Sequence, residues 1–153
     1  MTDDGLRYFD DYVPGTTHDC GSVSVSQAEI ISFATQFDPQ PFHVDPEAAA
    51  RGPYGGLIAS GWHTAALVMR QLVDHYLSAE ASLGSPGMDE IRWLGPVRPG
   101  DTLRVRATVL EARRSQSKPD RGIMKTVIEA VNQDGQTVMR AIGTNFLLVR
   151  PDA

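Results

Sequence analysis

The stretch "FDPQPFHVD" (residues 37–45) puts two carboxylates, Asp38 and Asp45, and one imidazole, His43, on a segment that also holds Phe37, Pro39, Pro41 and Phe42. A carboxylate and a neutral imidazole are weak bases alone, with reference pKa values of about 3.9 and 6.5. Facing one another and partly desolvated, they can polarise a water held between them and pass its proton elsewhere. The prolines limit the loop's freedom before any ligand arrives, as preorganised chemistry requires. The phenylalanines are expected to anchor it. Asp45 has a separate explanation: it precedes Pro46 in "DPEAAARG" (45–52) and reads as the N-cap of a short helix that stops at Gly52. That role makes His43 with Asp45 a poor metal pair. Asp38 and His43 remain as the candidate reactive pair.

The elements that must hold this pair are legible on either side of it. "SVSVSQAEIISFATQF" (22–37) changes from strand-like alternation to helical spacing, and Ser26 with Glu29 forms a capping-box pattern. Ile30, Phe33, Ala34 and Phe37 then share one helical face. Asp38 precedes a proline, which disfavours the α region, so the helix is predicted to end there. After the turn "GPYGG", a long and largely buried helix is predicted from Ser60 to about Leu77 on Ala65, Leu67, Val68, Leu72, Val73 and Tyr76. Beyond Pro86 the chain reads as four strands, "MDEIRWLGPV", "TLRVRATVLEA", "GIMKTVIEAVNQ" and "QTVMRAIGTNFLLVR", rich in β-branched and apolar residues. "RPGD" (98–101) and "QDG" (133–135) supply turns, and "RRSQSKPDRG" (113–122) a longer basic loop. One strand, a long helix and a four-strand meander imply an α+β domain, an antiparallel sheet wrapped around a helix.

The whole composition narrows the function. A chain of 153 residues suits one domain with a sizeable core, and 41% apolar with 22% charged residues is an ordinary globular balance. A net charge of −5 supplies no global basic field for nucleic acid or an anionic membrane. Cys20 is the lone cysteine, which excludes an intramolecular disulfide and a multi-cysteine zinc site. It reads as a small buried hydrophobe. The acidic N-terminus "MTDDGLRYFDDY" is no signal peptide, and no apolar run is long enough to span a membrane, so a cytoplasmic protein is expected.

"DPQPFHVD" followed by "YGGLIASGW" and then "LGPVRPGDTL" (94–103) resembles the MaoC-like dehydratases and R-specific enoyl-CoA hydratases over roughly residues 12–150. That resemblance implies a hot-dog fold and reversible hydration of a trans-2-enoyl thioester to an R-3-hydroxyacyl thioester. It assigns Asp38 and His43 to the catalytic dyad and Gly61 to the backbone N–H that binds the thioester carbonyl. Gly61 also has its own physics, since the first N–H groups of a helix are unpaired and its dipole favours negative charge. Gly56 and Ile58, in the same segment, are expected at the substrate. No cofactor is implied beyond coenzyme A as part of the substrate, no metal is expected, and the family's edge pairing implies a homodimer.

Two departures from the family pattern stand out. Its loop Asn is Gln40 here, and the position eight beyond Gly61 that carries a serine in some hydratases is Met69, expected to line the acyl pocket. His63 is near enough to the helix start to reach the site, though a packed or solvated histidine is the plainer reading. His18 and His75 lack any such context. Arg113, Arg114, Lys118 and Arg121 crowd positive charge into the basic loop, either as a solvated turn or as partners of the coenzyme A phosphates. An acyl-CoA thioesterase of the same fold and a non-catalytic acyl-thioester binding module are the competing readings.

Overall fold

The computed structural model describes residues 5–152, so the first four residues of the acidic N-terminal stretch lie outside it. Strand β1 (Thr17–Ser24) precedes three helices, α1 (Gln27–Phe37), α2 (Pro41–Val44) and α3 (Pro46–Arg51). The long helix α4 (Gly61–His75) follows, and then β2 (Gly87–Trp93), β3 (Thr102–Arg114), β4 (Arg121–Val131) and β5 (Thr137–Leu148). The class is α+β, a hot-dog fold: one five-stranded antiparallel sheet in the order β1-β3-β4-β5-β2, curled about α4.

Local chemistry explains the boundaries. Ser26 and Glu29 form the expected capping box, with Ser26 Oγ accepting from the Glu29 amide and Glu29 Oε1 from the Ser26 amide. α1 stops at Asp38 because Pro39 follows. Asp45 caps α3 as expected, accepting from the amides of Glu47 and Ala48 at 3.1 and 3.2 Å, and Gly52 ends that helix. Gly135 takes φ +79° in the β4–β5 turn, where a side chain would be strained.

The core lies between α4 and the concave face of the sheet. β4 alternates strictly, with Gly122, Met124, Thr126, Ile128 and Ala130 turned inward, and Val68 and Leu72 of α4, with Tyr76 just past its end, meet that layer. Alanines at 107, 130 and 141, all fully buried, leave the room a helix needs to lie against the strands. Each large buried side chain here, such as Leu103, contributes about 1.5–3 kcal/mol by leaving water. Cys20 is buried, as expected of a small hydrophobe.

Four expectations are corrected. β1 begins at Thr17, earlier than the alternation beginning at Ser22. β2 does not join a meander with β3; it pairs with β5 at the opposite edge, and only β3, β4 and β5 run consecutively. α4 is buried on one side only, since Trp62, Met69 and Val73 are exposed. Phe37 is 69% exposed and rests on the Phe33 ring at 5.1 Å instead of anchoring the segment in the core, because α1 turns only Ile30 and Ala34 fully inward. Among the described residues no helix is long and apolar enough to cross a membrane.

Candidate active site

The segment carrying the expected pair is a helical turn rather than an open loop. Pro41 opens α2 with its φ already set for a helix, and His43 sits on that turn with 5% of its surface exposed. Phe42 packs edge-on against the imidazole at 4.5 Å. The chain from Leu57 to Ser60 then threads between α2 and the loop after β2, with the Ile58 amide donating to the Phe42 carbonyl and the Ala59 amide to the Val97 carbonyl. This threading brings Ile58, Ser60 and Gly61 to Asp38 and His43.

The hydrogen bonds place a proton on the imidazole and orient the pair. His43 Nδ1 lies 2.7 Å from the Ile58 carbonyl oxygen, which can only accept, so Nδ1 carries a proton, and in the neutral ring Nε2 is then an acceptor. Nε2 lies 3.3 Å from Asp38 Oδ2. Asp38 Oδ1 accepts from Gln40 Nε2 and Oδ2 accepts from the Ser60 hydroxyl, both at 2.7 Å. The Gln40 amide holds the Asp38 carboxyl below its usual range; burial opposes this, while the Ser60 hydroxyl, and the charge of the His43 ring when it is protonated, help. With the ring neutral, two acceptors stand side by side. A water that donates one hydrogen to each is the ligand that satisfies both.

Gly61 is the first residue of α4, and its N-cap Ser60 makes no side-chain cap bond because its hydroxyl has turned to Asp38. As the first residue of the helix, Gly61 has an amide with no intrahelical partner, at the positive end of a 15-residue helix. A Cβ at Gly61 would lie 2.5 Å from the Trp93 indole. His43 and Gly61 share a cleft of about 410 Å³ whose walls include Phe42, Tyr54, Ile58, Trp93 and Val97. Asp38 meets this cleft through His43 and Ser60.

Other expected residues fall elsewhere. Ile58 holds the imidazole through its carbonyl and lines the cleft, while Gly56 lies outside the lining, against Arg98. Met69 faces a second, mainly apolar cavity of about 300 Å³ with Ala65, Val68, Leu72, Met88 and Ile91. It starts one residue past Thr64 on α4 and two before Trp93 on β2, next to the inner end of the cleft. The basic residues are not brought to the dyad within one chain. Val105, Ala130, Met139 and Trp93 form one row across the sheet, and Arg113 lies ~26 Å further along β3 at roughly 3.3 Å per residue. On that hairpin Arg114 donates to the Pro119 carbonyl and Arg121 pairs with Asp120. Lys118 sits in the same turn, its amide bonded to Ser115.

Sequence reasoning missed Ser60 and Trp93. A serine before a helix reads as an ordinary cap, and only its failure to cap reveals the bond to Asp38. Trp93 carried no signal beyond its place on a strand. His63 is buried, stacked on Phe33 at 4.7 Å, and its Nδ1 has no hydrogen-bond partner among the described residues. It is a packed histidine between α1 and α4. Among the described residues no group of three or more His, Cys, Asp or Glu is arranged to hold a metal.

Comparison with known proteins identifies the family. The family model described as "MaoC like domain" matches residues 12–131. A crystal structure of a MaoC-like dehydratase from Rhodospirillum rubrum superposes with a TM-score of 0.88 at 42% identity, covering 95% of this chain and 99% of that one. Protein YdeM of Bacillus subtilis is 31% identical over 81% of this chain and 86% of its own length. The 3-hydroxyacyl-thioester dehydratase Z of Mycobacterium tuberculosis is 41% identical over 56% of this chain, and the match spans 57% of that relative.

Proposed function

The chain belongs to the MaoC-like domain family, and from that premise we propose that it catalyses reversible hydration of trans-2-enoyl thioesters, giving R-3-hydroxyacyl thioesters. The observation that carries this reading is the pairing of Asp38 Oδ2 and His43 Nε2, which stand 3.3 Å apart beside the N-terminus of α4. A water held by both attacks the β-carbon while the pair takes up one of its protons. Electrons shift onto the thioester oxygen, which the Gly61 N–H stabilises, and a proton returns to the α-carbon. In the reverse direction the same groups remove water, the reaction named for the Mycobacterium tuberculosis relative. The R configuration rests on the family resemblance.

The acyl chain occupies the second cavity, entering past Thr64 and running along Met69, with the carrier arm leaving by the outer end of the cleft. The carrier is coenzyme A or an acyl carrier protein. The working assembly is a homodimer, which would cover the exposed edges at β1 and β2.

A crotonyl-CoA assay tests the proposal. Loss of enoyl absorbance without free thiol supports it; thiol release identifies a thioesterase; neither leaves a binding module.

A further inference from the structure

At the outer end of the cleft, beyond Tyr54 and Val97, stands a cation that the dyad does not use. Arg98 Nη2 donates to the Tyr54 carbonyl at 2.6 Å, which ties the guanidinium to the cleft's lip. Its Nη1 lies against Gly56, where a Cβ would sit at 3.4 Å, so the glycine admits the arginine. The acid nearest in sequence, Asp101, is committed elsewhere: Oδ2 accepts from the Arg98 amide and Oδ1 from Gln133 Nε2. Among the described residues no carboxylate pairs with the Arg98 guanidinium. Arginine held by one carbonyl keeps further N–H donors in the planar fork that suits a phosphate.

Position strengthens the case. The chain from Gly56 to Gly61 spans at most ~17 Å when extended, so Arg98 is within an extended carrier arm's reach of the Gly61 amide. The cleft lining includes the apolar Phe42, Ile58 and Val97 and suits an acyl-carrier chain with few charges. Resting on the proposed thioester chemistry, we infer that Arg98 binds the phosphate of a phosphopantetheine arm, the group shared by coenzyme A and acyl carrier proteins. The hairpin arginines 113 and 114 lie at the other end of the sheet and take no part within the same chain.

S-crotonylphosphopantetheine and S-crotonylpantetheine differ only in that phosphate and serve as the test pair. The wild-type protein shows a KM about tenfold lower for the phosphorylated compound, the size expected of a charged hydrogen bond at a half-exposed site. Arg98→Gln abolishes the difference with kcat unchanged, the pattern of lost uniform binding. Arg98→Lys, which keeps the charge and loses the fork, retains part of it. Arg113→Gln with Arg114→Gln leaves it intact. Calorimetric titration with the saturated butanoyl analogues repeats the comparison without turnover, so it reads Arg98 even if no enoyl thioester is hydrated. Crotonyl-CoA and crotonyl-loaded acyl carrier protein should weaken alike in Arg98→Gln. A wild-type protein indifferent to the phosphate, a preference that survives Arg98→Gln, a preference lost in the hairpin variant, or a defect confined to coenzyme A would each overturn the assignment.

Discussion

The Gly61 backbone lies directly beneath the Trp93 indole: a methyl group added at Gly61 would fall 2.5 Å from Trp93 Cε2 and 2.7 Å from Cδ2. Glycine at this position is thus required by packing as well as by any substrate that approaches the helix amide. Gly61→Ala should cost about 1–3 kcal/mol of stability, the usual range for an extra methyl in a filled space. Most of that loss should vanish in a Trp93→Ala background, because the two residues are in contact. Denaturant titration of the four proteins checks this, and additive losses would remove Trp93 from the explanation.

Asp45 and Asp38 stand seven residues apart and should respond differently to substitution. Asp45→Ala removes the cap of α3 and should cost about 0.5–2 kcal/mol. Its melting temperature should fall while turnover per folded molecule stays near wild type. Unchanged stability with collapsed turnover would place Asp45 in the chemistry instead.

Gln40 stands where the family pattern carries Asn, and its amide is the largest influence holding the Asp38 carboxyl down. Gln40→Ala should move the acid limb of the pH–rate profile upward, toward the ordinary carboxylate value of 3.8, with little change in rate at neutral pH. The stability gained from Asp38 is present above that value and lost as pH falls through the lowered folded value. An acid limb that does not move would mean that Gln40 does not tune the dyad.

Much of this arrangement was readable before the fold was known, for identifiable reasons. Ser26, Glu29, Asp45 and Pro46 act within one turn of chain, so their caps follow from spacing. Asp38 and His43 were readable because both sit on one short segment. Ser60 and Trp93 were not, because each gains its role from a partner distant in sequence: Ser60 from Asp38, and Trp93 from Gly61. The pairing of β2 with β5 is a choice between sheet edges that hydrophobic alternation does not make. Phe37 shows the converse, an apolar residue on the expected helical face that the sheet never covers.

His63 should make stability pH-dependent near neutrality. Burial lowers its pKa from the ordinary 6.5, and Glu29 opposes this only in part. The unfolded chain therefore takes up the proton first, and stability should fall as pH drops below about 6.5 and through the folded value. His63→Phe keeps a ring against Phe33 and should flatten this part of the melting-temperature profile. An unchanged slope would assign the effect to other groups.

In the proposed mechanism Asp38 and His43 act as one unit on one water. Hydration of crotonyl-CoA by Asp38→Asn, His43→Ala and the double variant, measured at equal concentrations of folded protein, tests it most directly. Each single variant should lose roughly two to four orders of magnitude in kcat, and the double variant little more. Near-wild-type turnover in either single variant, or losses that multiply in the double, would contradict the account.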